Sequence, residues 1–355
     1  MIECVLSVDI GTTSLKASFV TGSGEVAAYC AIPFSAPENR FVAEAWIWSF
    51  KGAVDKLKEQ KPDVQIKAIS VSGNGPTLVS ENGLTLRWNE APGCQINLDD
   101  DAGDEVKRFE HSIFLPRILL FKDIFADEFS ETKKIFSGPE YLIWQLTAND
   151  VTILPEKRFE TAYWNAEVLE GFGISSHMLP DFVDLGTNCG TLTDNNCEFL
   201  GLDKIPVFGV GPDFIAGLIG CGTVEKNTLC DRCGSSEGIN FCTDKEIRAE
   251  GIRTLPCVKE GLWNLSVLIS ESAELAYEQR IEKVIAAIEL LRKTAMENKV
   301  DFPSVMTVTG GQAKDEKYFK IKKERLEEIG IKIEVKNCLD AELLGDAIVA
   351  WEKLK

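Results

Sequence analysis

Three widespread ligand signatures are missing from this chain of 355 residues, which contains no GxxxxGK[ST], no GxGxxG and no HExxH. Their absence removes the P-loop, Rossmann and zincin readings. Histidine is scarce, with His111 and His177 the only two. Gly234-Ser235-Ser236-Glu237-Gly238 fits the hydrolase elbow G-x-S-x-G, but that fold needs its histidine after the serine, and both histidines come before Ser236. Long apolar runs are lacking as well. The longest weakly polar stretch, Phe214 to Val224, is too short and too rich in glycine to span a bilayer. Positive charge is sparse: 38 lysines and arginines face 56 aspartates and glutamates, a formal net charge of -18. Nucleic-acid phosphates and anionic lipids would be repelled over most of such a surface, so any phosphate-bearing ligand must be held locally. The 11 cysteines are odd in number and scattered from Cys4 to Cys338 without framework spacing, and MIECVLSVDIG reaches an aspartate before any apolar stretch could act as a signal. A soluble protein in a reduced, cytoplasmic setting is the expectation.

The length suits two domains. Strand-like runs recur near Val5–Val8, Leu15–Val20, Lys67–Ser72, Ile205–Val210, Leu229–Cys233, Val305–Thr309 and Ile331–Val335. Helical spacing is clearest over Gln279–Glu297, where Ile281, Val284, Ile285, Ile288 and Leu291 repeat on one face, and it recurs over Lys317–Ile329 and Leu339–Leu354. This alternation predicts an α/β fold. Asp9-Ile10-Gly11-Thr12-Thr13-Ser14 and Asp231-Arg232-Cys233-Gly234-Ser235-Ser236 are partial echoes, each between two strand-like runs, as a duplicated lobe would give. A boundary near Gly222 divides the chain into residues 1–222 and a smaller lobe, 223–355.

Four segments carry candidate chemistry. Val8 to Lys16 ends a strand on Asp9, turns through Gly11, Thr12 and Thr13, and returns with Lys16. Such a turn can offer backbone N–H groups and hydroxyls to a phosphate, while Asp9 holds a hydrated cation; an ordinary hairpin uses the same residues. Asp213 follows the run Ile205–Val210 and opens an apolar helix. Ligands collect at the carboxyl ends of strands in α/β proteins, and a buried carboxylate there can act as a base; the structural alternative is a helix cap. Thr309-Gly310-Gly311-Gln312 lies between a strand and a helix, where paired glycines let a ligand approach the backbone. Cys230-Asp231-Arg232-Cys233, near Cys221 and Cys242, lacks a second CxxC or a histidine pair, so its cysteines read as packing residues rather than zinc ligands.

The order and spacing of these segments resemble one family over nearly the whole chain: the FGGY carbohydrate kinases, within the actin, Hsp70 and sugar-kinase superfamily. VDIGTTSLKASFV is similar to the family's first phosphate segment, and ISVSGNGPTLVSENG to its sugar segment, with LRWNE echoing a following Trp-Asn-acidic element. FLPRILLFKD and GPEYLIWQLT are similar to helices of the first lobe. GVGPDFIAGLIGCG looks like the segment of the catalytic aspartate, CGSSEGIN like the second phosphate turn, and TGGQAK with LLGDAIVAW like the adenosine-side turn and closing helix.

The resemblance implies two actin-like, ribonuclease H-like lobes around an interdomain cleft, and transfer of the γ-phosphoryl of ATP to a primary hydroxyl of a small sugar or polyol. It makes Asp213 the base and Asp9 the carboxylate near Mg2+, acting through water. Gly11, Thr12, Thr13, Lys16, Gly234 and Ser235 would meet the phosphates, and Gly310, Gly311 and Gln312 the nucleotide. Asn74, Gly75, Asp213 and Phe214 would face the acceptor. It leaves room for a homodimer. Three features depart from the pattern. The second lobe is short; Phe214 stands where a xylulose kinase has asparagine; and Asn74-Gly75-Pro76 stands where such kinases have methionine and histidine. The acceptor therefore stays open. Two rivals remain: a nucleotide- and sugar-binding protein without turnover, and another phosphotransferase of the superfamily.

Overall fold

A computed structural model of the chain describes residues 1–91, 104–234, 236–270, 272–335 and 340–355. It divides into two compact units, Met1–Ala216 with Asp346–Lys355, and Gly217–Gly345.

The first unit is organised by strand β1, Ile2–Ile10, whose residues from Cys4 onward are all buried. A continuous apolar run of this kind suits a strand covered on both faces. Two hairpin turns lead into β2, Ser14–Thr21, and β3, Val26–Pro33, both antiparallel. Helix α1, Trp46–Gln60, crosses over to β4, Val64–Gly73, which lies parallel to β1 on its other side. Helix α2, Gly138–Thr147, precedes β5, Asn188–Thr191, and β6, Pro206–Pro212. The sheet order is β5-β6-β4-β1-β2-β3, with β6 parallel to β4. Phe50, Val54 and Leu57 of α1 and Leu142 and Leu146 of α2 are buried in the same core as Leu6, Val8 and Val71.

Helix α3, Asp213–Cys221, starts directly after β6. The second unit repeats the plan. β7, Thr228–Cys233, turns into the antiparallel β8, Glu237–Thr243, which pairs with β10, Trp263–Ile269; the edge strand β9 is Arg253–Pro256. Helix α4, Tyr277–Glu297, crosses to β11, Val305–Thr309, parallel to β7, and helix α5, Glu316–Glu328, crosses to β12, Lys332–Val335, parallel to β11. The order β9-β10-β8-β7-β11-β12 thus places a hairpin on one side of the founding strand and parallel crossovers on the other, as in the first unit. Ile281, Val284, Ile288 and Leu291 form the buried stripe of α4, as their spacing requires.

The closing helix α6, Ala341–Leu354, departs from the sequence reading, which puts 223–355 in one lobe. Its residues from Asp346 onward belong to the first unit. Asp346 Oδ2 accepts a hydrogen bond from Ser72 Oγ at 3.0 Å, and Trp351 Nε1 donates to the Val20 carbonyl at 3.2 Å. The earlier division falls at Ala216, inside α3, rather than near Gly222.

Candidate functional site

In the first unit the site is built by strand register. Ile10 is level with Gly73, and Gly73 with Pro212. The next residue along each of these parallel neighbours is Gly11, Asn74 and Asp213, so three candidates from distant parts of the chain emerge at one sheet edge, at the carboxyl ends of the strands. Backbone contacts hold the edge together. Asn74 N–H donates to the Ile10 carbonyl at 2.9 Å, and Gly11 N–H closes the hairpin turn on the Ser14 carbonyl at 2.9 Å. A Cβ on Gly11 would lie 2.9 Å from that oxygen, and one on Gly75 would lie 2.9 Å from the Pro212 ring, so both positions require glycine. Gly211 takes a φ of +81 two residues before Asp213.

Asp9 is buried and faces Lys16 across the hairpin, with Nζ 3.4 Å from Oδ2. Thr12 Oγ1 is a junction: Asn74 Nδ2 donates to it at 3.2 Å and Trp88 Nε1 at 2.9 Å. Thr13 is exposed. Beside the turn is a small cavity lined by Thr12, Phe34, Trp46, Asn74, Arg87 and Trp88, among others. Arg87 is held by Glu90 at 2.6 Å and by the Pro37 carbonyl at 2.9 Å. Asp213 is half-buried as the first residue of α3, and Phe214 is buried behind it.

In the second unit Gly234 N–H bonds to the Ser236 carbonyl at 3.0 Å, closing the turn between β7 and β8. Ser235, assigned to the same turn from the sequence, lies outside the described residues. Gly310, with a φ of +103, packs so closely on Cys233 that a Cβ would approach its carbonyl oxygen to 2.4 Å. The Gly310–Gln312 turn and the Gly234 turn are therefore in contact. Gln312 is not turned outward: its Nε2 donates to the Gly234 carbonyl and to Ser272 Oγ, and its Oε1 accepts from Arg280. As placed it braces the two turns, which qualifies the sequence reading of a direct nucleotide contact. Gly311 has open space where a side chain would be.

Sequence reasoning missed several residues around these turns. Trp88 entered only as part of an echo; its hydrogen bond to Thr12 has no periodic signature. Buried Arg280 stacks over the Tyr318 ring at 4.6 Å and holds the Ser272 carbonyl at 2.6 Å. Lys322 is fully buried against Asp231 and Glu237, and the Asp231 carboxyl is pushed up to about 7, first by burial and then by Glu237. Burial also pushes the Cys233 thiol well up. The signal for Lys322 was available: it stands with Tyr318 and Leu326 on the buried stripe of α5, where an apolar residue is expected. Cys230 and Cys233 are buried, and Cys242 lies 3.8 Å from Cys257, sulfur to sulfur.

No protein-family model matches the sequence. The xylulose kinase of Bacillus subtilis (strain 168) is 26% identical over 275 residues, which cover 68% of this chain and 54% of that protein. The chain spans about half the length of such curated relatives, 52% and 54% in two of them. Among solved structures, a xylulose kinase from Brucella ovis superposes with a TM-score of 0.76 at 15% identity, covering 98% of this chain and 90% of the other. The Plasmodium falciparum glycerol kinase with ADP gives a TM-score of 0.75 at 14% identity, covering 100% and 90%. In sequence the chain is thus similar to xylulose kinases, and its fold is the one seen in xylulose and glycerol kinases.

Proposed function

We propose that the protein is a carbohydrate kinase that transfers the γ-phosphoryl group of Mg-ATP to a primary hydroxyl of a small sugar or polyol. The observation that carries this reading is the shared register of β1, β4 and β6, which delivers the Asp9–Thr13 turn, Asn74 and Asp213 to one sheet edge. The similarity to xylulose and glycerol kinases supports it.

The donor set fits a phosphate chain with its cation. Asp9 is a hard oxygen ligand suited to Mg2+, directly or through water. Thr12 has both acceptor positions of its hydroxyl taken by Asn74 and Trp88, so it meets a ligand as a donor, which suits a phosphate oxygen. Bound Mg-ATP supplies the phosphoryl group and neutralises charge as it transfers. Thr13 would present its backbone N–H group, Gly11 would let a phosphate approach the turn closely, and Lys16 would move from Asp9 toward the phosphates. Gly234, Ser235, Gly310 and Gly311 would line the nucleotide side, with Gln312 fixing their spacing. On the acceptor side Asp213 would take the hydroxyl proton, while Asn74, Gly75 and Phe214 shape the pocket. We place the protein in the cytoplasm, where its cysteines would stay reduced. No helix among the described residues is long and apolar enough to cross a membrane.

The rival reading is binding of nucleotide and sugar without turnover. Incubation with Mg-ATP and a panel of ketoses, polyols and aldonic acids, followed by phosphorus NMR, separates the two. A phosphomonoester formed only with an acceptor present is expected; nucleotide binding with no ester from any acceptor would favour the rival.

A further inference from the structure

A group of ionisable side chains not used above lies beneath the second hairpin turn. Lys322 comes from the middle of α5 and is fully buried, as are Asp231, Cys233 and Glu237. Its ammonium bonds to both carboxylates, and its Nζ is 3.4 Å from Cys233 Sγ. Asp231 and Cys233 are two residues apart on β7 and so share a face of the sheet, while Glu237 pairs with Cys233 directly across the hairpin. Tyr318, one helical turn before Lys322, completes the enclosure, with its hydroxyl 3.3 Å from Glu237 Oε1 and its ring 5.2 Å from the Lys322 ammonium.

Stability does not account for this arrangement. Each buried ion costs several kcal/mol in lost hydration, and apolar replacement of such a set is often neutral or stabilising. Leu326, the next residue on the same stripe, is the apolar kind of residue that such a buried position ordinarily carries. The ligand atoms of Asp231, Cys233 and Glu237 all lie within 4.8 Å of one another, a grouping able to hold a metal ion. The ammonium of Lys322 reaches all three. We propose that Lys322 is a positioning residue, a fixed internal cation standing where a metal ion would sit, which ties β7 to β8 and thereby sets the shape of the Gly234 turn. That the turn then receives a nucleotide phosphate rests on the kinase reading; the cation place does not. The turn is held from two sides, by Lys322 below and by Gln312 on the Gly234 carbonyl.

Two variants of the full chain test this. In Lys322→Ala the vacated space should admit one equivalent of Co2+, with a thiolate-to-cobalt absorption band absent from the wild type and from Lys322→Ala/Cys233→Ser. Metal-free Lys322→Ala should bind Mg-ADP about tenfold more weakly than the wild type, and loading with cobalt should restore the affinity. In Asp231→Leu/Glu237→Leu/Lys322→Leu the fold should be kept at equal or greater stability, yet Mg-ADP affinity should show the same loss. This second variant decides the matter if metal-free Lys322→Ala does not fold, because a merely structural role predicts affinity that follows stability. Wild-type affinity in the leucine variant, or a folded Lys322→Ala without the cobalt band, would overturn the proposal. If the wild type binds no nucleotide, the kinase reading and the phosphate step fall together, and the cobalt band alone decides the cation place.

Discussion

A hydroxyl oxygen has two acceptor positions and one proton, and at Thr12 Asn74 and Trp88 occupy both acceptor positions. On the proposed reading the remaining proton is directed to a phosphate oxygen. Thr12→Val keeps the shape and removes the donor, so nucleotide affinity should fall roughly 10- to 100-fold, the worth of one charge-assisted hydrogen bond. Thr12→Ser should stay near the wild type. Equal affinities for the two variants in calorimetry would show that the hydroxyl faces no phosphate. Asp231 makes a second prediction at this scale. Its carboxyl is raised from 3.8 to about 7, burial being the first cause, so the folded protein binds a proton that the unfolded chain releases. Stability from this group is present below about pH 4 and is lost as pH rises through 7. Urea unfolding at pH 5 and pH 8 should show a wild-type decline of order a few kcal/mol that is smaller in Asp231→Asn. Identical declines would assign the pH dependence to other groups.

At the scale of elements, helices with clean stripes and strands with continuous apolar runs were legible in the sequence. The expected Val305–Thr309 matches its strand, and Gln279–Glu297 matches a helix that begins two residues earlier, at Tyr277. Their periodicity follows directly from which face is buried. What could not be read was the contact between turns distant in sequence, because it leaves no period. Gly310 is the example: its place between strand and helix was clear, but not that a Cβ there would run into the Cys233 carbonyl. Gly310→Ala should destabilise the protein by roughly 2 kcal/mol or more, through the positive φ and the overlap together. Gly311→Ala, with open space around it, should have little effect. Thermal melts of the pair check this, and an unchanged Tm for Gly310→Ala would refute the close approach.

For the whole molecule, the echo between Asp9–Ser14 and Asp231–Ser236 corresponds to two sheets with the same plan of hairpin and parallel crossovers. The return of residues 346–355 to the first unit was not legible, since the Ser72–Asp346 hydrogen bond joins residues separated by most of the chain. On the proposed reading Asp9 holds the cation of Mg-ATP, and Asp9→Ala should remove the dependence of ATP affinity on Mg2+. Equal affinity with and without the ion in the wild type would contradict that assignment. The central claim, phosphoryl transfer with Asp213 as base, is tested most directly by one protein, Asp213→Asn, assayed with the best acceptor found. The substitution keeps a side-chain oxygen in the first turn of α3, so a purely capping role predicts nearly unchanged turnover. The account predicts that turnover falls by roughly two to four orders of magnitude while nucleotide affinity is retained; turnover near that of the wild type in the folded variant would contradict it.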